Sequence, residues 1–329
     1  MDIAGKRFLV IGGAGFIGSH VVTELLKHDV AEVLIYDNFA RGKISNIHES
    51  LQDARCKIFQ DGGDIRDVDI LNNAMKGIDG VFHLAAMWLL HCKEYPRTAF
   101  EVNIQGTFNV LEACVNNGVA RLVYSSSASV YGDAVEIPMT EEHPFNNRNF
   151  YGATKIAGEA MCRAFYDKYG LNYVGLRYMN VYGPHQDQTA AYTGVIPIMF
   201  NKIEANETPE INGDGSQAYD FITAEDVARC NVLAMQANVS DEFFNVGTGV
   251  QTSIKELCEK ILEIKSSNLK VKYKPYSQED HRRMVQNRIG SIAKAENGIG
   301  FKFSQNLASG LINLNNWRSN FSNRDNQHE

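Results

Sequence analysis

The chain has no CxxC pair, no histidine cluster beside its cysteines, no apolar run long enough to cross a bilayer and no surplus of positive charge. Each absence removes a class of protein. The six cysteines (Cys56, Cys92, Cys114, Cys162, Cys230 and Cys258) are scattered, which argues against a disulfide framework or a zinc site and for reduced thiols. No metal is expected. A spanning helix needs about 20 consecutive apolar residues, and no stretch approaches that. The opening MDIAGKRFLVIGGAGFIG carries neither the apolar core nor the small-residue cleavage site of a signal peptide, so a cytoplasmic location without a membrane partner is expected. A formal net charge of -7 offers no cationic surface to nucleic acid. There is no internal repeat and no low-complexity tract.

What is present is an alternation. Apolar runs at Phe8–Ile11, Val33–Tyr36, Lys57–Phe59, Gly80–Leu84, Leu122–Ser125 and Tyr173–Leu176 are separated by helix-like stretches at Ile17–His28, Val68–Met75, Ala99–Asn117 and Gly152–Tyr169. Ile104, Phe108, Leu111 and Val115 recur at helical spacing and predict one buried helix face. Strand–helix repetition of this kind predicts an α/β fold, a doubly wound parallel sheet covered by helices on both sides. Beyond about residue 180 the pattern loosens, with breaks at Gly183-Pro184 and Gly213-Asp214-Gly215, and helical periodicity returns at Thr223–Gln236 and Ile254–Lys265. The expected organisation is a first domain over 1–180, with elements near 218–247 returning to it. A smaller α/β lobe over 181–318 and a polar, frayed tail over 319–329 complete it.

Gly12, Gly15 and Gly18 stand three residues apart, directly after the strand Phe8–Ile11 and at the start of a helix. That context suits a dinucleotide: one glycine turns the chain, one lets the backbone approach a pyrophosphate, and one lets helix and strand pack closely. The helix N-terminus then presents N–H groups, those of Phe16 and Ile17 among them, to the phosphates. Asp37 ends the next strand 19 residues beyond Gly18. An acid there accepts from both ribose hydroxyls and repels a 2′-phosphate, which favours NAD over NADP, although Arg41 lies close enough to keep a 2′-phosphate in view. The first domain is therefore expected to be a Rossmann fold.

Tyr151 and Lys155 are four residues apart in YGATKIAGEA, which reads as helix, so both side chains share one face. An ammonium beside a phenol stabilises phenolate, as does the positive charge of oxidised nicotinamide, and both are expected to draw the tyrosine toward neutrality as a general base. The run Ser125-Ser126-Ser127 follows an apolar strand, whose carboxyl end in a doubly wound sheet faces the ligand crevice. A hydroxyl there can bind a substrate oxygen and share a proton with Tyr151. One or two of the three serines can equally satisfy a turn.

With these motifs the chain resembles an extended short-chain dehydrogenase/reductase of the NAD-dependent epimerase/dehydratase family, near its UDP-galactose (UDP-glucose) 4-epimerase-like members. The likeness covers about residues 6–318 and rests on GGAGFIGSH, YDN, DIRD, HLAA, VN-x-x-GT-x-N-VLEA, SSSASVYG, YGATK, LRYMNVYGP and GDGSQ-x-x-DF-I-x-x-EDVA in that order. It implies Ser127 as the catalytic hydroxyl, Tyr151 as acid/base and Lys155 as the residue holding the cofactor ribose. It also implies Asn38 beside the ribose acid, Asp64-Ile65 at the adenine, and Leu84-Ala85-Ala86 along the cofactor. Asn103 would support the cofactor-side network, Tyr178 lie near the nicotinamide and Asn180 near a nucleotide sugar. Asp64 reads equally as the N-cap of a helix starting at Val68.

The implied reaction is 4-epimerisation of a UDP-hexose or UDP-hexuronate through a transient ketosugar. A one-way nucleotide-sugar reductase is the alternative. Family dehydratases usually carry an Asp-Glu pair after the catalytic hydroxyl, and decarboxylases a glutamate, where this chain has Ala128-Ser129. A non-catalytic NAD sensor commonly loses the tyrosine or the lysine, and both are here. The usual diphosphate arginine of GDGxQxRDF is replaced by Tyr219, leaving Arg282 or Arg283 as the diphosphate candidates. Arg288 falls where the family sets the size of the sugar pocket and could meet a 6-carboxylate. The Trp88 segment, His91 and His185 read as packing or solvated residues as readily as ligands. The family's habit predicts a homodimer through the helices at Ala99–Asn117 and Gly152–Tyr169.

Overall fold

The computed structural model describes residues 1–188, 194–276 and 285–325. Its centre is a seven-stranded parallel sheet of β1 (Arg7–Ile11), β2 (Glu32–Tyr36), β3 (Cys56–Ile58), β4 (Gly80–His83), β5 (Arg121–Ser127), β6 (Tyr173–Tyr178) and β7 (Glu242–Val246). The order across the sheet is β7-β6-β5-β4-β1-β2-β3. Side chains alternate between faces along each strand. Phe8 and Val10 pack against α1 (Phe16–Leu26), while Leu9 and Ile11 join the cluster on the opposite face with α2 (Gly106–Asn116) and α3 (Phe150–Tyr169). Alongside α1, the first face also carries α4 (Ala224–Gln236) and the short helix Ala293–Ile299. Both faces being covered, β4 and β6 are buried throughout, which explains their nearly unbroken apolar sequences.

The order reverses between β1 and β4, so the connections leaving these two strands open a crevice at their carboxyl ends. All the candidate side chains of the first half lie at that end of the sheet. The second half contributes β7 to the sheet and gathers a separate core from Phe200, Leu257, Ile261, Leu311 and Leu314. Two short pairings tie this lobe to the crevice: Asn180–Tyr182 runs parallel to Phe221–Thr223, and Ala218–Tyr219 lies between Thr252–Ser253 and Asn287–Arg288.

Two expectations need correction. The buried stripe of α2 is Thr107, Val110, Leu111 and Cys114, following Asn103, whereas Phe108 is 43% exposed. Polarity misled the pattern because Asn103, Thr107 and Asn109 are buried with their hydrogen bonds made inside the protein. The preceding residues, Phe100–Gln105, form a π-helical turn, a local widening that sequence periodicity does not signal. The expected frayed tail is also absent from its first part, since helix Leu307–Asp325 runs through Ser319. Buried Leu311 and Leu314 seat that helix, and the Arg318 guanidinium donates to Asn201 Oδ1 at 2.7 Å. Once nucleated, further turns cost little.

One buried ion pair locks β6 to α3. Arg177 and Glu159 meet at 2.8 Å with side-chain exposures of 6% and 5%, and Glu159 also accepts from Ser126 at 2.5 Å. Replacing Glu159 with glutamine leaves the Arg177 cation without its counter-charge, and a loss of about 3–5 kcal/mol of stability is expected. Urea unfolding of the two proteins checks this; a loss below about 1 kcal/mol contradicts it.

Candidate active site

At the end of β1 the backbone turns through Gly12, at φ +83°, a conformation that L side chains rarely adopt. A Cβ there would also lie 2.8 Å from the Ala85 nitrogen, so the loop after β4 is in contact with this turn. A Cβ on Gly18 would sit 2.0 Å from the Gly12 carbonyl oxygen, which is how α1 can start so close to β1. Gly15 is the N-cap of α1; no side chain caps it and no acid stands in its first turn. The first-turn amides of Phe16, Ile17 and Gly18 therefore face the crevice mouth with the positive end of the helix dipole. Asp37 closes the cradle from β2: Oδ2 accepts from the Ala14 amide at 2.9 Å and Oδ1 from the Phe39 amide at 2.8 Å. Burial raises its carboxyl pKa against those two amides. The arrangement fits a dinucleotide, with bare amides for phosphate and a fixed carboxylate for ribose hydroxyls.

Further residues support the cradle. The amides of Leu84 and Ala85 both donate to the Ile11 carbonyl, at 2.9 and 3.0 Å, which pins this segment and the adjoining Ala86 beside the glycine turn. Asn38 is exposed next to Asp37. Asp64 is not the cap of the helix at Val68: Asp67 is, accepting from the Ile70 amide at 3.2 Å. Asp64 instead pairs with Arg66 at 2.6 Å, which lowers its pKa, and the buried Ile65 follows it. Arg41 has its guanidinium 4.7 Å from the centre of the Trp88 ring and 3.8 Å from Asp187. Trp88 thus gains a partner that periodicity could not show. His185 bonds Ser19 at 2.9 Å and stacks on His20, and burial lowers its pKa to about 4.

The catalytic candidates converge at the end of β5. Ser127 is its last residue, with Oγ accepting from the Ser129 amide at 3.1 Å. Asn149 caps α3 by accepting from the Gly152 amide at 2.8 Å, so Tyr151 falls in the first turn and Lys155 one turn later. The helix lies tight on β5, since a Cβ on Gly158 would meet the Tyr124 hydroxyl at 2.0 Å. Lys155 is 5% exposed, and its Nζ donates to the Ser125 carbonyl at 2.7 Å while lying 5.7 Å from the centre of the Tyr151 ring. Asn103 straps this region together: its Oδ1 accepts from the Met87 amide at 2.7 Å, and its Nδ2 donates to the Met87 carbonyl and to Thr154 Oγ1.

The electrostatics differ from expectation. Burial pushes the Tyr151 hydroxyl up to about 12, against hydrogen bonding with Ser127 and the positive charge of Arg288. Burial likewise brings Lys155 down to about 8. Lys155 alone therefore does not draw the tyrosine toward neutrality, and the remaining drop needs a cationic ligand.

On the lobe side, Tyr178 is 6% exposed, with its hydroxyl bonded to Ser125 at 2.9 Å and Asn231 at 3.0 Å. It braces the back of the strand that carries the serines. Asn180 is bound to the Asp220 carbonyl through both its amide and Nδ2, at 2.9 and 3.0 Å. Tyr219 donates to the Val285 carbonyl at 2.8 Å, and burial raises its pKa. Arg288 pairs in register with Tyr219, and burial lowers its pKa against Tyr219, Asp133 and Tyr151. Arg282 and Arg283 lie outside the described residues. Sequence reasoning passed over Asp220, a fully buried carboxylate that holds the Thr248 and Gly249 amides at 2.8 and 2.9 Å. Its place in the DF motif was the available signal.

Comparison with known proteins agrees with this geometry. Residues 8–247 match the model of the NAD dependent epimerase/dehydratase family. A putative UDP-glucose 4-epimerase of Methanocaldococcus jannaschii is 36% identical over 95% of this chain and 98% of its own length. The solved UDP-N-acetylglucosamine 4-epimerase of Methanobrevibacter ruminantium, in complex with UDP-N-acetylmuramic acid, superposes with a TM-score of 0.90 at 32% identity, covering 97% of this chain and 99% of that one. The UDP-glucuronic acid 4-epimerase of Bacillus cereus, solved with UDP-glucuronic acid and NAD, gives 0.86 at 26% identity, with 96% and 99% covered. The chain belongs to the NAD-dependent epimerase/dehydratase family, and NAD is its cofactor.

The buried lysine makes stability depend on pH. Lys155 titrates near 8 in the folded chain and near its ordinary 10.5 when unfolded, so between these values the unfolded chain binds the extra proton and stability rises with pH. In NAD-stripped protein, Lys155→Met should flatten this rise between about pH 8 and 10. Thermal midpoints across that range check it; parallel profiles for the two proteins contradict it.

Proposed function

We propose that this protein is an NAD-dependent nucleotide-sugar 4-epimerase, acting on a UDP-linked sugar. The observation that carries this reading is the convergence of Ser127, Tyr151 and Lys155 on one side of a crevice whose other wall is the glycine cradle and Asp37. Gly12, Gly15 and Gly18, with the amides of Phe16 and Ile17, hold the pyrophosphate. Asp37 and Asn38 take the adenosine ribose, Asp64 and Ile65 border the adenine, and Leu84, Ala85 and Ala86 line the dinucleotide. Lys155 holds the second ribose, and Asn103 keeps the neighbouring loop in place. Bound NAD supplies reversible acceptance and return of a hydride.

The protein's own part is to position and to move a proton. Tyr151 takes the proton of the sugar C4 hydroxyl, and Ser127 hydrogen-bonds the same oxygen. Positive charge in the crevice counters the burial that otherwise holds Tyr151 near 12. After the C4 ketosugar turns in the pocket, Tyr151 returns the proton and the epimer leaves. No acid follows Ser127 to expel a hydroxyl at C6, because the next two residues are Ala128 and Ser129. This supports epimerisation over dehydration. The lobe residues Asn180, Tyr219 and Arg288, with Arg282 or Arg283, take the nucleotide sugar.

The protein works as a cytoplasmic homodimer. Phe100, Phe108 and Tyr169 are 45%, 43% and 50% exposed along the π-helical turn, α2 and α3. Apolar groups grouped on two adjacent helices are suited to a twofold contact. Among the described residues, no helix is long and apolar enough to cross a membrane.

Tyr151→Phe is expected to lower turnover of UDP-glucose to UDP-galactose by about 10²–10⁴-fold while NAD stays bound. NMR of the sugar H4 signal and NAD released on denaturation measure the two quantities. Retained turnover overturns the mechanism. Phe108→Asp is expected to convert a dimer to a monomer in light scattering, and an unchanged mass overturns that interface.

A further inference from the structure

Arg41 and Trp88 meet across the glycine turn. In the sheet, β1 lies between β2 and β4. Arg41 stands five residues beyond the end of β2, and Trp88 five residues beyond the end of β4. Two strands that flank a third are about 10 Å apart. The Arg41 guanidinium nevertheless lies 4.7 Å from the centre of the indole ring. The two side chains therefore span the end of β1, where the chain turns through Gly12 and α1 begins.

Both ends of this span are fastened to the turn beneath it. On the β2 side, the Ala14 carbonyl accepts from the Lys43 amide at 3.0 Å and from Asn46 Nδ2 at 2.9 Å. A Cβ on Gly42 would lie 2.7 Å from the Asp37 carboxylate, so the chain next to Arg41 is packed on the ribose acid. On the β4 side, Ala85 abuts Gly12, and Asn103 holds both the amide and the carbonyl of Met87. The span itself is weaker than its supports. Trp88 Nε1 is buried without a hydrogen-bond partner among the described residues, so the indole is held through its ring, by Arg41 and by His91 edge-on at 5.6 Å. The ion pair of Arg41 with Asp187 is 3.8 Å long and partly exposed, and such a pair contributes little. Firm supports joined by a contact of this strength suit a strap that opens and recloses.

The cradle under the span is where the dinucleotide pyrophosphate belongs. We propose that Arg41 and Trp88 form a strap over that cradle, which must part for NAD to enter or leave. Its positive charge matches the anionic pyrophosphate, which favours the closed form once NAD is in place. The proposal rests on the cofactor and on no particular sugar. On the epimerase reading, it serves a carrier that is restored at every turnover and has no need to exchange.

The exchange of NAD tests this. Wild type, Arg41→Met, Trp88→Leu and the double variant are loaded with labelled NAD and chased with an excess of unlabelled NAD. Entry is timed by adding labelled NAD to stripped protein. Either single change should quicken both release and entry about 3–30-fold, the range of one cation–π contact. Because each change breaks the same contact, the double variant should be no faster than the quicker single one, and Arg41→Lys should keep part of the slow exchange. Equilibrium NAD content should stay stoichiometric, since both rates rise together. Quicker release with unchanged entry makes the pair a ligand contact and overturns the strap. Unchanged release, or single effects that multiply in the double variant, overturns it as well. A variant that no longer binds NAD shows that the pair shapes the cradle itself, which also overturns it. No sugar enters these measurements, so failure of the epimerase reading would show separately.

Discussion

The geometry of the crevice depends on the bond from Lys155 to the Ser125 carbonyl. A buried ammonium must find an oxygen, and the one it finds, at 2.7 Å, belongs to the strand that ends in Ser127. That contact and the missing side chain at Gly158 hold α3 against β5 at a separation no larger residue would permit. Tyr151, one turn before Lys155, is carried into position by the same helix. The Arg177–Glu159 pair fixes the outer part of α3 to β6, so this helix is clamped to two adjacent strands.

Desolvation governs the charges placed there. It raises Tyr151 and Asp37 and lowers Lys155 and Arg288, in each case disfavouring the ionised form. A dinucleotide with a cationic ring and an anionic backbone answers several of these at once. Electrostatic strain of this kind is stored in the free protein and released by ligands of matching charge.

Much of this was legible in the linear chain. Gly12, Gly15 and Gly18 act through the backbone, and backbone demands appear directly as glycine. Asp37 follows its strand at a fixed interval, and Tyr151 and Lys155 share a face because helical geometry makes them do so. The apolar runs marked β1 to β6 because a strand covered on both sides has little choice of residue. Side chains whose role is a bond to a distant partner were less visible. Asn103, Thr107 and Asn109 stand outside the apolar stripe expected of that helix and are buried all the same, each joined to chain remote in sequence. Asp64 reads equally as a cap that Asp67 provides, and the contact of Arg41 with Trp88 had no signal in the sequence.

The sequence by itself determined the parallel sheet, the glycine turn, the identity of the dinucleotide and the pairing of tyrosine with lysine, since each follows from local periodicity or local backbone conformation. Only the tertiary structure decided the protonation balance. Burial and charge neighbourhood belong to segments far apart in sequence: Tyr151 lies on α3, Ser127 on β5 and Arg288 on a strand near the end of the chain. No local pattern records how far water has been excluded from all three.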